Sequence, residues 1–326
     1  MIKGYQTKIL DMYDKIRQDE ETDFRRRKTH IEKTHPEIIE IDNKIGKLCI
    51  ELSISALKSI TNRDEYLFDL REKIIDLRVK KSELLVSNGF DMEYLNLHYR
   101  CKKCRDTGFI GNTKCSCFKQ KVIDVYYTGS ELRGMLKTHN FDNFKMEYYP
   151  SSGSDLKSDS PKKNMEKILA KSMSFVKNFK DSDENLLFYG SSGTGKTFLS
   201  HCITKELMDK GYFVVYRTAE ELIKGLKEVR FNGDNSLEEL LINCDLLIID
   251  DLGTEQISDF TKTEMFNLLN TKLLKGKKML VSTNFTLGNI SSTYTERITS
   301  RLLGNFTACK FFCDDIRIKQ NLSGPK

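Results

Sequence analysis

From Ile38 the apolar residues fall at alternating spacings of three and four: Ile38, Ile41, Ile45, Leu48 and Leu52. Leu67, Leu70, Ile74, Leu77 and Leu84 repeat the pattern, with Lys81 as its one polar interruption. That spacing puts an apolar stripe on one side of each of two helices. Thr61, Asn62 and Arg63 lie between them, and Asn62 or Thr61 is placed to cap the second. The pattern predicts an antiparallel coiled-coil hairpin within a helical region spanning 1–95. So small a unit makes a poor core alone. Its stripes therefore either bury each other only or also offer a face to a partner protein.

From Asn164 the pattern changes to short apolar runs separated by helical text. Runs at 186–189, 213–217, 246–250, 278–283 and 310–313 read as strands. Helices are predicted over 196 to about 210, from 219 to about 241, over 259–274 and over about 290–303. Continuous apolar strands alternating with helices give an α/β fold, a five-stranded parallel sheet covered on both faces. Residues 150–163 (Pro-Ser-Ser-Gly-Ser-Asp-Leu-Lys-Ser-Asp-Ser-Pro-Lys-Lys) hold two of the chain's four prolines and read as a mobile connection. Phe141 and Phe144 are assigned to the α/β part beyond it.

Composition narrows the class. Of 326 residues, 39% are hydrophobic and 31% charged, which suits a soluble protein with a real core. No run of about 18 apolar residues predicts a membrane span, and the N-terminus lacks a signal peptide's apolar core. A cytoplasmic location is expected. The net charge of +6 permits a local nucleic-acid patch without demanding one.

In such a compartment the nine cysteines are not expected to form disulfides. Cys49, Cys202, Cys244, Cys309 and Cys313 are scattered and read as small packed side chains. Cys101-x-x-Cys104, ten residues, then Cys115-x-Cys117 offers four thiolates on two tight turns, suited to tetrahedral Zn²⁺. Lys102, Lys103, Arg105 and Lys114 would offset the charge of a four-thiolate site. A redox pair or four packed cysteines are the rival readings, and His98 is a spare ligand candidate.

The chemistry concentrates at strand ends. Gly190-Ser191-Ser192-Gly193-Thr194-Gly195-Lys196-Thr197 follows a strand and opens a helix. Its glycines permit a loop whose N–H groups surround phosphate oxygens at the helix N-terminus. Lys196 supplies charge to the β and γ phosphates of ATP, and Thr197 a hydroxyl to Mg²⁺. The strand Leu246-Leu247-Ile248-Ile249 ends in Asp250, a candidate for holding Mg²⁺ directly or through water, and Asp251, placed to orient or deprotonate the attacking water. Asn284 closes another strand, as a candidate partner for the γ-phosphate or the water. Arg297 and Arg301 share a helix face. Their spacing fits equally a reach into a neighbouring subunit's site and local pairing with acids such as Glu296.

These residues together resemble the AAA+ ATPases of the bacterial replicative-helicase loader group, the DnaC/DnaI type, whose ATPase domain is close to that of the IstB transposition helper. The resemblance covers roughly 139–320. It implies that 190–197 is Walker A, Asp250-Asp251 Walker B, Asn284 sensor 1, Arg301 the arginine finger with Arg297 just before it, and Arg317 the sensor 2 arginine. Asn140-Phe141-Asp142-Asn143-Phe144 is similar to the segment that packs near the adenine. Asp251 departs from the family's usual Asp-Glu pair, which puts the rate of hydrolysis in question. About a dozen residues follow the last strand, so no helical lid is expected, as in the loader group. Lys224, Lys227, Arg230 and Phe231 look like the loaders' helix along a single-stranded DNA path, against the alternative of a solvated basic face.

The expected organisation is a helical partner-binding region (1–95), a four-cysteine zinc module (96–135), a linker (136–163) and an AAA+ ATPase domain (164–326). The expected function is an ATP-dependent loader that binds a hexameric replicative helicase through its N-terminal region, self-associates through the ATP site and delivers the helicase to single-stranded DNA. Alternatives are an IstB-type transposase helper and a nucleotide-gated DNA-binding module with little turnover.

Overall fold

The computed structural model describes residues 3–55, 62–151, 159–233 and 235–323. Thr61 and half of the expected connection, 152–158, lie outside the described residues. The chain forms two compact units, one of Asp11–Ile110 and one of Met1–Leu10 with Gly111–Lys326.

The first unit is helical, with most of α1 (Lys3–Thr34), then α2 (Pro36–Ser55) and α3 (Arg63–Ser87). The expected hairpin is α2 with α3. Ile41, Ile45 and Ile74 are buried between them, and Leu48, Leu52, Leu77 and Leu84 pack alongside. Lys81, the break in the stripe, donates from Nζ to Asp42 Oδ1 at 2.9 Å. The long α1 is a separate helix that the apolar spacing does not announce, because charged residues dominate it. Its Ile31 joins Ile38, Ile39, Leu85 and Leu95 in a second small core. Asn62 sits at the N-cap of α3 in left-handed backbone, φ 58°, without a capping hydrogen bond from its side chain. The expected side-chain cap is thus not made there.

A short hairpin, β1 (Phe109–Ile110) with β2 (Thr113–Lys114), follows, and the boundary between the units passes through its turn. The second unit continues with α4 (Ser116–Tyr126), α5 (Glu131–Thr138) and α6 (Pro161–Lys177). The Ser160 hydroxyl caps α6 by accepting from the Lys163 N–H. The α/β part then runs β3 (Leu186–Gly190), α7 (Lys196–Asp209), β4 (Val214–Thr218), α8 (Ala219–Asn232) and α9 (Ser236–Asn243). It ends with β5 (Leu246–Leu252), α10 (Asp259–Leu274), β6 (Lys278–Thr283), α11 (Leu287–Thr293), α12 (Glu296–Asn305), β7 (Thr307–Phe311) and α13 (Ile316–Ser323).

The five long strands form one parallel sheet in the order β4-β5-β6-β3-β7. Alternating side chains feed two cores. Phe188, Ile248 and Leu280 point into a cluster with α6 and α7. Leu187, Leu247, Ile249 and Val281 point into another with α8, α10 and α12. Leu136 and Tyr149, from the stretch expected as linker, are buried in the first cluster, with Phe141 and Phe144 packed against it.

Three element boundaries differ from the sequence reading. The helical text after β4 breaks at Gly233, whose φ of 68° ends α8. The helix expected over about 290–303 is two, α11 and α12, separated at the buried Tyr294. The last strand is Thr307–Phe311, not 310–313. At the sheet edge only Cys309 and Phe311 turn inward, so half of this strand carries no apolar signal. Among the described residues no helix is long and apolar enough to cross a membrane.

Phe188 is fully buried in the central β3 and meets Phe311 with ring centroids 5.0 Å apart. Phe188→Ala is expected to cost about 3–5 kcal/mol, read as a lower urea midpoint with an unchanged slope.

Candidate functional site: a phosphate loop over an acidic strand end

All five strands deliver their C-terminal ends to one edge of the sheet, where the loop between β3 and α7 curls over the N-terminus of α7. Backbone packing fixes that loop. Gly190 has φ 135°, and a Cβ there would lie 2.0 Å from the Phe311 carbonyl oxygen. At Gly193, φ 72°, a Cβ would meet the Asp315 carboxyl at 2.0 Å. The backbone contact excludes any other residue at Gly190, whereas at Gly193 a side chain would have to displace the Asp315 carboxyl and adopt a strained backbone. The loop is tied from outside as well: the Tyr149 hydroxyl donates to the Thr194 carbonyl at 3.0 Å and the Ile316 N–H to the Gly193 carbonyl at 2.9 Å.

Lys196 opens α7 and is buried. Its Nζ donates to the carbonyls of Gly190 and Ser191 at 2.8 and 2.7 Å. Burial lowers its pKa, and Asp251 and then Asp250 oppose the shift. Beside it opens a cavity of about 620 Å³, a size suited to a nucleotide. Its lining includes Gly193 to Thr197, Asp251, Asn284 and Arg317 together with the rings of His139, Phe144, Tyr148 and Tyr149. The Asn140–Phe144 segment is therefore at the cavity, through Asn143 and Phe144.

The two acids have different surroundings. Asp250 is 1% exposed, and both its carboxylate oxygens accept hydrogen bonds, one from the Tyr216 hydroxyl on β4 and one from the Ser282 hydroxyl on β6. It lies beneath the cavity wall, so direct contact with a metal, one of the two expected modes, is not the one this geometry favours. Asp251 follows in left-handed backbone, φ 54°, where β5 slips its register against β6. A bulge of this kind re-aims a side chain, and here it turns the carboxylate into the cavity. The Asp251 N–H donates to Ser282 Oγ at 3.1 Å, and Asn284 Nδ2 donates to Asp251 Oδ1 at 3.3 Å. Burial, and then the charge of Asp250, raise the Asp251 pKa; Lys196, Asn284 and Arg317 pull the other way.

Arg317 reaches the same end from α13. Its Nη2 donates to Ser192 Oγ at 2.6 Å, and its Nε lies 3.5 Å from Asp315 Oδ1. Arg297 and Arg301 are not brought to this cavity. Arg301 donates to Asn270 Oδ1 at 3.1 and 2.7 Å and to the Arg297 carbonyl at 3.0 Å, with its guanidinium 4.3 Å from the centre of the Phe266 ring. Arg297 lies over the same ring at 5.9 Å. The neighbours of Arg301 are thus an amide, a carbonyl and an aromatic face, and not the acids of the local-pairing alternative. On α8, Arg230 is committed to Glu238 and Glu264, while Phe231 is 87% exposed. That leaves Lys224 and Lys227 as the basic residues available there, Lys227 with its Nζ 5.9 Å from the Phe260 ring.

Sequence reasoning missed Tyr149, Tyr216, Ser282 and Asp315, and a histidine pair. His201, buried on α7, lies with Nδ1 2.7 Å from His139 Nδ1, and its ring packs on Tyr216. Burial, with His139 beside it, brings the His201 pKa down to about 4. Neither histidine carries a motif signal. Ser282 stands inside the Val281-Ser282-Thr283-Asn284 strand end and was the most accessible to foresight.

The four clustered cysteines converge locally, their sulfurs all within 4.8 Å of one another. Consecutive left-handed residues Arg105 and Asp106 fold the first turn. The Asp106 carboxylate accepts from the Arg100 and Cys101 N–H groups, and the Gly108 N–H points at Cys104 Sγ at 3.4 Å. An all-sulfur donor set at this separation fits Zn²⁺.

A scan of family models matches residues 151–321, just over half the chain, to IstB-like ATP binding protein. Among curated proteins, the replicative helicase loader DnaC of Escherichia coli K12 is 28% identical over 153 residues, 46% of this chain and 62% of that protein. The chain thus spans about three-fifths of that relative's length. The replicative helicase loader DnaC of Buchnera aphidicola subsp. Baizongia pistaciae is 26% identical over 196 residues, 58% of this chain and 74% of that protein. A crystal structure of the DnaC helicase loader aligns with a TM-score of 0.46 at 21% identity, covering 55% of this chain and 99% of that one.

Because the folded protein raises the Asp251 pKa, its ionised form costs stability at neutral pH. The cost is absent below the unfolded-chain value of about 3.9 and grows as pH rises through the folded value. Asn tolerates the same left-handed backbone. Asp251→Asn is therefore expected to raise the unfolding temperature at pH 7, with the gain vanishing near pH 3; an equal gain at both pH values would contradict the assigned cause.

Proposed function

Because the family match spans more than half of it, the chain belongs to the IstB-like ATP-binding proteins, and from that premise we propose that it is an ATP-hydrolysing loader of a replicative helicase. The observation that carries the ATPase part is the single cavity shared by Lys196, Thr197, Asp251, Asn284 and Arg317. Lys196 and Arg317 neutralise the β and γ phosphates. The Thr197 hydroxyl and the Asp251 carboxylate are oxygen donors on the cavity wall, as a hard Mg²⁺ ion requires; Asp250 acts through an intervening water. Bound there, Mg²⁺ would supply positive charge against the transferring phosphoryl group. Asp251 and Asn284 orient the attacking water, and the raised pKa of Asp251 improves it as a base. Arg301, held away from its own site, serves the site of a neighbouring copy, so ATP binding and self-association are linked.

The similarity to DnaC proteins supports helicase loading as the output. In this reading residues 1–95 bind the helicase, 96–135 carry zinc on Cys101, Cys104, Cys115 and Cys117, and 164–326 form the ATPase together with the core- and cavity-lining residues between Leu136 and Tyr149. Lys224, Lys227 and the exposed Phe231 meet the delivered single strand, by charge and by stacking. A transposase helper is the second reading, favoured by the family to which residues 151–321 belong.

Two activities test this. ATP turnover is expected to fall by about 10²-fold or more in Lys196→Ala and Asp251→Asn, as when a charge-stabilising group is removed from an active site; equal rates in all three proteins would exclude an ATPase. The full chain is expected to bind a hexameric replicative helicase and not a transposase; the reverse would establish the helper reading. Metal analysis should find one zinc per chain, and less than about half an equivalent counts against the zinc module.

A further inference from the structure

Helix α3 has two apolar faces. Leu70, Ile74, Leu77 and Leu84 turn towards α2. On the opposite side Phe68, Ile75, Val79 and Val86 are 62%, 50%, 52% and 55% exposed. At 3.6 residues per turn their steps of seven, four and seven keep all four within a narrow strip about 27 Å long. With Glu72 and Ser82 they fill a seam of alternating spacing, Phe68, Glu72, Ile75, Val79, Ser82, Val86, the pattern of a helix meant to be paired on that side too. Single exposed apolar residues are ordinary; a heptad-spaced row is not.

The charges beside the seam are sorted by sign. Asp69, Asp76 and Glu83 repeat at seven along one edge; along the other Arg71 and Arg78 repeat, with Asp64 one heptad before them at the start of the helix. None of Asp69, Arg71, Asp76, Arg78 and Glu83 has an ion-pair partner among the described residues. Edge charges of a helix pair set its orientation. We propose that this face pairs two copies of the chain, each α3 lying parallel to the other. In that orientation Arg71 of one copy faces Asp76 of the second and Arg78 faces Glu83, with both pairs repeated by symmetry, against one like-charged contact, Asp64 with Asp69, in the first turns of the helices. The antiparallel arrangement sets acidic edge on acidic edge and Arg78 on Arg78. Glu72 meets its counterpart in the seam with Arg71 of the other copy beside it, which fixes the register at some cost in strength. This contact is distinct from the association through the ATP site and does not depend on the loader reading.

Sedimentation of the full chain without nucleotide, in a Lys196→Ala background that removes ATP-driven assembly, tests it. Self-association should rise with concentration, weaken about tenfold or more in Ile75→Glu, and strengthen in Glu72→Leu while remaining a discrete, reversible dimer, which separates pairing from aggregation. Arg71→Glu/Arg78→Glu and Asp76→Arg/Glu83→Arg should each associate weakly alone and recover when mixed. A parent that stays monomeric, an Ile75→Glu variant that pairs as the parent does, or mixed charge variants that fail to recover would each overturn it. A monomeric chain in which Ile75→Glu abolishes binding to the helicase would reassign the face to that partner.

Discussion

The buried carboxylate of Asp250 is the point on which the site turns. Tyr216 on β4 and Ser282 on β6 each hold one of its oxygens, so three adjacent strands are tied at their C-terminal ends by two hydroxyls and one acid. A charge this deep is tolerable only with such partners. Once it is fixed, the next residue has little freedom. Ser282 also accepts the Asp251 N–H, the backbone passes through φ 54°, and the second carboxylate turns outward. Two neighbouring acids of the same type thereby come to occupy different environments and can take different tasks.

Much of this architecture is legible in the chain. The five apolar runs and the glycine-lysine-threonine loop announce a parallel sheet with a phosphate site, because continuous burial and a strand-to-helix turn leave strong local marks. The hairpin of α2 and α3 is legible for the same reason. The boundaries that failed are those where one face of an element meets solvent, as in β7, or where one buried side chain divides a helix, as Tyr294 does. Arg301 could be named but not located, since its neighbours Asn270 and Phe266 lie some thirty residues away and carry no motif.

The supporting residues were not legible at all. Tyr149, Tyr216, Asp315 and the His139–His201 pair act through distances that only the fold sets. Their residue types are common in cores and turns, so a sequence gives no reason to prefer the functional role. The histidine pair is an example: burial lowers the pKa of both rings, that of His201 to about 4, and His139 lines the cavity.

The tether from Ile316 to Gly193 has a consequence for dynamics. The phosphate loop is closed from the far end of the described chain, by a helix of eight residues that begins shortly after the edge strand. A helix of eight residues opens more readily than the sheet it leans on. Each opening of that helix would remove Arg317 from the cavity and release the Gly193 carbonyl together, so the loop's amide protons should exchange with solvent at the pace of the helix and not at that of the sheet the loop grows from.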